Sequence, residues 1–137
     1  MTRKLTLAAT PIGNLGDASA RLIETLQNAD LILAEDTRHS QKLLSHFGIS
    51  KPIRAFHDHS TQRDLAFVQK TLEQEQHIVL ISDAGMPLVS DPGFELVQLA
   101  LQIGCELDCV PGPNAPITAL ALSGLPPLPF AFLGFVP

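Results

Sequence analysis

Basic charge is scarce in this chain, and the scarcity limits its partners. Nine lysines and arginines face fourteen acids over 137 residues, for a formal charge of −5 with histidine neutral. Phosphate neutralisation needs clustered cations, and here they are scattered, which argues against a nucleic acid held by this surface alone. An RNA substrate would have to draw most of its attraction from elsewhere. Long apolar runs are also missing. Although 45% of the residues are apolar, no run is long enough to span a membrane, and no membrane partner is expected. The start, Met1-Thr2-Arg3-Lys4, leads into a strand-length run and a polar loop, unlike a secretory signal, so a cytoplasmic location is expected. Cysteine is confined to Cys105 and Cys109 on one expected strand. They lie too far apart to bridge or to share a metal, and read as buried free thiols. No G-x-G-x-x-G occurs, which removes the dinucleotide-fold fingerprint.

What remains is enough for one domain with a real core. Leu5-Thr6-Leu7-Ala8-Ala9 reads as a buried strand, followed by a turn-rich loop and a helix over 18–28 capped by Asp17. A strand over 30–34 runs into a helix over 40–47 that stops at Gly48. A weaker strand over 52–56 precedes a helix over 62–74, and further strands are expected over 77–81 and 106–110, with a helix over 94–103 between them. Strand and helix alternate throughout. That pattern predicts an α/β fold, a five-stranded, mainly parallel sheet with helices on both faces.

The longest departure from the pattern is residues 82–93, Ser82-Asp83-Ala84-Gly85-Met86-Pro87-Leu88-Val89-Ser90-Asp91-Pro92-Gly93, directly after an apolar strand. Asp83 and Asp91 supply negative charge, Gly85 and Gly93 admit close approach to the main chain, and the prolines fix one shape. Such a loop at the carboxyl end of a strand suits a cationic or polar small molecule held by backbone groups. An ordinary strand-to-helix turn, with Asp91 as N-cap and Pro92 opening the helix, accounts for its last three residues only. Val110-Pro111-Gly112-Pro113-Asn114 is a second such turn, leading to a small-residue helix over 115–123. The last segment, Phe130-Ala131-Phe132-Leu133-Gly134-Phe135-Val136-Pro137, is too apolar for a free terminus. It reads as the entry to a further domain or partner subunit, or as a last edge strand, and it is expected to be buried.

Thr10-Pro11-Ile12-Gly13-Asn14-Leu15-Gly16-Asp17, Ala34-Glu35-Asp36-Thr37-Arg38, His57-Asp58-His59, the 82–93 loop and Val110-Pro111-Gly112-Pro113-Asn114 occur in this order. Together they resemble the ribosomal RNA small subunit methyltransferase I family, a branch of the tetrapyrrole methylase superfamily. The resemblance implies S-adenosylmethionine (SAM) as methyl donor and a cytidine ribose 2′-hydroxyl in the decoding centre of 16S rRNA, on the small ribosomal subunit, as acceptor. It implies that residues 1–137 are a single N-terminal domain, that a C-terminal domain is missing, that SAM lies in the cleft between the two, and that the active form is a homodimer. Alone, this half is expected to be inactive. Carried over by position, the cofactor contacts fall on Pro11, Asp83, Ala84, Gly85, Leu88, Asn114 and Ala115.

Methyl transfer to a hydroxyl is an in-line displacement, so alignment supplies much of the catalysis and a positioned base can take the proton. Asp36, His57 and Asp58 are the catalytic candidates, with His59 beside them. Asp36 or Thr37 equally suits a helix cap. The histidine pair lacks a third ligand nearby, so no metal is expected. Arg38 suits an RNA phosphate or an ion pair with Glu35 or Asp36. The competing functions are a methyltransferase acting on a porphyrin precursor or a modified protein histidine, and a non-catalytic SAM- or nucleotide-binding module.

Overall fold

The computed structural model describes residues 3–57, 61–74 and 76–137. Its order is β1 (Lys4–Ala8), a 3-10 turn (Leu15–Asp17), α1 (Ala20–Asn28), β2 (Leu31–Ala34), α2 (Thr37–His46), β3 (Ile53–Ala55), α3 (Gln62–Glu73), β4 (His77–Ile81), α4 (Phe94–Gln102), β5 (Glu106–Val110) and α5 (Ala115–Leu122). The five strands form one sheet, β3-β2-β4-β1-β5, in which every pairing is parallel. Inner strand β2 is buried at every residue, while edge strand β3 has no buried residue and β5 has one. That gradient is what a sheet covered on both faces requires of its sequence.

Alternation along each strand divides the interior in two. Ala8, Ile32, Val79 and Ile81 meet Leu22 and Leu26 of α1 and Leu43 and Leu44 of α2 on one face. Leu5, Leu33, Ile78 and Leu80 meet Val68 and Leu72 of α3 and Leu96 and Ala100 of α4 on the other. The expected α/β architecture is the one observed. Several boundaries differ for local reasons. The hydroxyl of Ser19, not Asp17, caps α1 by accepting from the Leu22 amide at 2.9 Å, because Asp17 is taken up in the preceding 3-10 turn. Helix α2 begins three residues earlier than expected because Asp36 caps it. Gly93 stands at the N-cap of α4 without a side-chain bond, so neither Asp91 nor Pro92 has the predicted role. Cys105 is buried, but Cys109 is exposed, since little covers that end of edge strand β5.

Burial stops at Val110. No later residue is buried, and α5, apolar on every side, packs none of its residues into the interior. The final segment forms neither an edge strand nor a buried tail: Leu133 and Val136 are each 92% exposed. The expected burial fails because both apolar layers of the sheet are already filled by α1 to α4.

Gly93 joins the long loop to the core. Its φ is +132°, and a Cβ there would lie 2.6 Å from Leu80 Cδ2 and 2.9 Å from Leu88 Cδ1. At Gly104, φ is +71° and the space is open. Gly104→Ala is therefore expected to lose about 1 kcal/mol from the left-handed backbone. Gly93→Ala should lose roughly 1–3 kcal/mol more from overpacking. Urea midpoints measure both, and equal losses would remove the packing explanation.

Candidate active site

The chain leaves β1 toward α1 on one face of the sheet and leaves β4 toward α4 on the other. Adjacent strands whose connections diverge in this way open a crevice at their carboxyl ends, the usual ligand position in open α/β sheets. Two main-chain bonds hold it. Thr10 N donates to Gly85 O at 3.1 Å, and Gly85 N donates to Thr10 O at 3.0 Å. The β5 turn joins them, since Ala9 N donates to Val110 O at 3.0 Å. A Cβ on Gly85, where φ is +77°, would sit 3.4 Å from both Ile12 Cγ2 and the Pro113 carbonyl oxygen. The loops after β1, β4 and β5 therefore meet at Gly85, where the backbone suits glycine and leaves little room for a side chain.

Of the residues matched to cofactor contacts, Pro11 and Asp83 line one cavity of about 270 Å³. Gly85 is buried at the joint of the loops, and Ala84 beside it is exposed. Leu88 has φ +79° and packs its side chain on the core beside Leu80, so only its main chain is available to a ligand. Asn114 and Ala115 adjoin the joint through Pro113, outside the cavity lining, and the Asn114 side chain is occupied in capping α5, accepting from Ile117 N at 3.0 Å.

The catalytic candidates are placed differently. Asp36 lies at the end of β2, and its Oδ1 accepts from Arg38 N at 2.9 Å and from His39 N at 3.5 Å. The Arg38 amide bond, foremost, holds its carboxyl below the usual aspartate range, against an opposing effect of desolvation. A carboxylate so stabilised is a weak proton acceptor near neutral pH. Its amide donates to Asp83 Oδ1 at 3.2 Å, tying the β2 and β4 loops together. His57 is exposed after β3 and does not line the cavity. Asp58 and His59 lie outside the described residues. Arg38 is exposed and makes a 3.7 Å ion pair with Asp36, the bland alternative read from the sequence.

Three cavity residues escaped the sequence reading because they sit inside a helix: His39, Ser40 and Lys42. His39 Nε2 lies 3.0 Å from the Asp83 carbonyl oxygen. A carbonyl only accepts, so this bond places the proton on Nε2 and leaves Nδ1 as the basic nitrogen. Leu15 and Leu43 supply apolar wall on either side.

The model of the tetrapyrrole (corrin/porphyrin) methylases matches residues 4–130. The chain belongs to that family. Among curated relatives, it is 50% identical over 137 residues to the ribosomal RNA small subunit methyltransferase I of Pasteurella multocida, covering all of this chain and 49% of the relative. It is 43% identical over 134 residues to the protein of the same name from Thermotoga maritima, covering 98% of this chain and 60% of that one. The chain thus spans about half the length of the curated relatives it matches. Among solved structures, a uroporphyrin-III-C-methyltransferase from Thermus thermophilus superposes with a TM-score of 0.66 at 19% identity, over 90% of this chain and 52% of that one. A cobalt precorrin-4 methyltransferase gives 0.63 at 18% identity, over 88% and 50%. At these identities the tetrapyrrole enzymes of the family share the fold.

The Asp36 cap has a signed pH dependence. Its folded pKa is lowered, so its contribution is present above the unfolded-state pKa and lost as pH falls through the folded value. Asp36→Ala should lower the urea midpoint at neutral pH, fray the first turn of α2 in hydrogen exchange, and converge with the parent protein as pH falls through the folded value. A constant difference across that range would show that capping is not the cause.

Proposed function

We infer that this chain is the N-terminal, SAM-binding half of a two-domain RNA methyltransferase acting on the small ribosomal subunit. The acceptor is the 2′-hydroxyl of a cytidine in the decoding centre of 16S rRNA, and the enzyme works as a cytoplasmic homodimer. The meeting of the β1, β4 and β5 loops at Gly85 carries the reading, because it gathers motifs that are more than seventy residues apart in sequence. The printed names of relatives at up to 50% identity support the acceptor class. Their doubled length, and the apolar surface exposed after Val110, support a second domain over α5 and the final segment.

The residues fit the donor. Gly85 commits its own amide and carbonyl to Thr10 and so fixes the loop main chain that walls a cradle for a small polar molecule. Asp83 lines the adjoining cavity with Pro11 and brings negative charge to it, complementary to a sulfonium. Bound there, SAM supplies an electrophilic methyl group. Pro11, Asp83, Ala84, Gly85, the Leu88 main chain, Asn114 and Ala115 would hold it, while the second domain closes the cleft and excludes water. Rigid loops matter because alignment of donor carbon and acceptor oxygen contributes more than any single proton transfer. The proton falls to a base beside the acceptor. Asp36, His57 and Asp58 remain candidates, and His39 Nδ1 joins them by geometry. Arg38, on the outer side of α2, would face an RNA phosphate.

A protein of the relatives' length that begins with this chain should transfer labelled methyl from SAM to the 16S RNA of small subunits lacking the modification. Transfer to a porphyrin precursor instead would overturn the RNA reading. The chain of 137 residues alone should bind SAM more weakly than the longer protein. Two or three lost buried hydrogen bonds correspond to about one to three decades in affinity. Calorimetry compares the two, and equal affinities would mean that these residues hold the complete site.

A further inference from the structure

The start of α2 grips Asp83 twice. The Asp36 amide donates to Asp83 Oδ1 at 3.2 Å, and the His39 Nε2–H donates to the Asp83 main-chain oxygen at 3.0 Å, although His39 and Asp83 lie 44 residues apart in sequence. The jaw is firm for a local reason. Asp36 Oδ1 accepts from the Arg38 and His39 amides and so fixes the turn that carries both donors, while Leu43 and Leu44 anchor the following turn in the core. Of the two donors, only that of His39 is a side chain. The grip also orients the next peptide. A trans peptide is planar with its carbonyl and N–H pointing opposite ways, so the bond that draws the Asp83 carbonyl toward His39 turns the Ala84 amide away from it. Ala84 is exposed, and its amide makes no hydrogen bond among the described residues. On its far side, the Ala84 carbonyl oxygen accepts from the Ser82 hydroxyl at 3.2 Å, and both peptide groups of Gly85 are bonded to Thr10. The Ala84 N–H is left as a free donor whose direction is fixed.

We propose that His39 is a positioning residue for the methyl donor: through Nε2 it holds the Asp83–Ala84 peptide, so that SAM meets the Ala84 amide and its loop in a single conformation. The assignment rests on the SAM-binding reading and gives His39 a task that does not use its basic Nδ1. A donor group already held in place costs a ligand less ordering on binding than a mobile one. Losing the clasp therefore weakens SAM before it slows the chemistry. A loop that must be ordered afresh by each SAM molecule raises KM, whereas a lost proton acceptor lowers kcat with the donor site saturated.

Three variants of a protein of the relatives' length separate the two tasks. His39→Ala keeps a good helix former in α2 and removes the donor. His39→Gln supplies an N–H donor on a stem long enough to stand in for Nε2 but no base, and His39→Asn carries the same amide on a shorter stem. Calorimetry should show His39→Ala binding SAM about two- to tenfold more weakly, the range of one hydrogen bond. On small ribosomal subunits its KM for SAM should rise by the same factor, with most of the change in kcat/KM lying in KM. His39→Gln should bring both to within about twofold of the parent, and His39→Asn should not. Hydrogen exchange of the Gly85 amide should quicken in the alanine variant and slow again in the glutamine one. Unchanged SAM affinity in His39→Ala, or glutamine and alanine variants that behave alike, would overturn the proposal. So would a kcat that collapses in both while SAM affinity holds, which is the signature of a base. If the variants keep the expected order of SAM affinity but no small subunit is methylated, the clasp stands and the RNA reading falls. A parent protein that binds no SAM ends both.

Discussion

The divergence of the chain at the carboxyl ends of β1 and β4 is the constraint from which the site follows. These strands are neighbours, paired from Lys4 with His77 to Leu7 with Leu80, yet their following helices cover opposite faces. Neither helix can close the gap between them, so the gap must be bridged by loops. The loop after β4 carries most of that burden, and it contains two non-glycine residues with positive φ, Leu88 and Ser90. Backbone of that kind is disfavoured and persists when surrounding structure holds it. Here the holding structure is visible: Leu88 is packed on Leu80 and Gly93, so the loop is fastened to the core behind the crevice.

Much of this was legible in the residues because the deciding forces were local or periodic. The five strands and the helices between them follow from alternation and stripe patterns, and the Gly48 stop from a local turn signal. The misreadings have a common origin. Asp17 reads in the sequence as the cap of α1, but the 3-10 turn engages it and Ser19 takes the role. Cys109 has the spacing of a core residue, but burial there depends on what covers an edge strand. The crevice itself was legible as a set of loops and illegible as a surface. Asp36 shows why: one motif residue both caps α2 and, through its amide, ties down Asp83.

The two ends of the sheet make a second contrast. Through Val110 the chain satisfies its apolar surface with α1 to α4, and afterwards it leaves α5 and the last segment exposed. Loops on the β5 side adjoin that exposed apolar surface, while Pro11 and Asp83 line the cavity beside α2 together with His39, Ser40 and Lys42.

The two bonds between Thr10 and Gly85 join peptide groups, and the Ser82 hydroxyl donates to the same Gly85 carbonyl oxygen at 3.2 Å. Truncating side chains one at a time would remove that hydroxyl's support and leave both main-chain bonds in place, so an alanine scan would report only part of the contact on which the crevice depends. Proline is the substitution that would expose it, by removing an amide donor at either position. The same logic sets how the chain can drift over generations: Thr10 is free to change wherever its hydroxyl is dispensable, whereas Gly85 is held by a backbone angle and by the Pro113 carbonyl oxygen beside it.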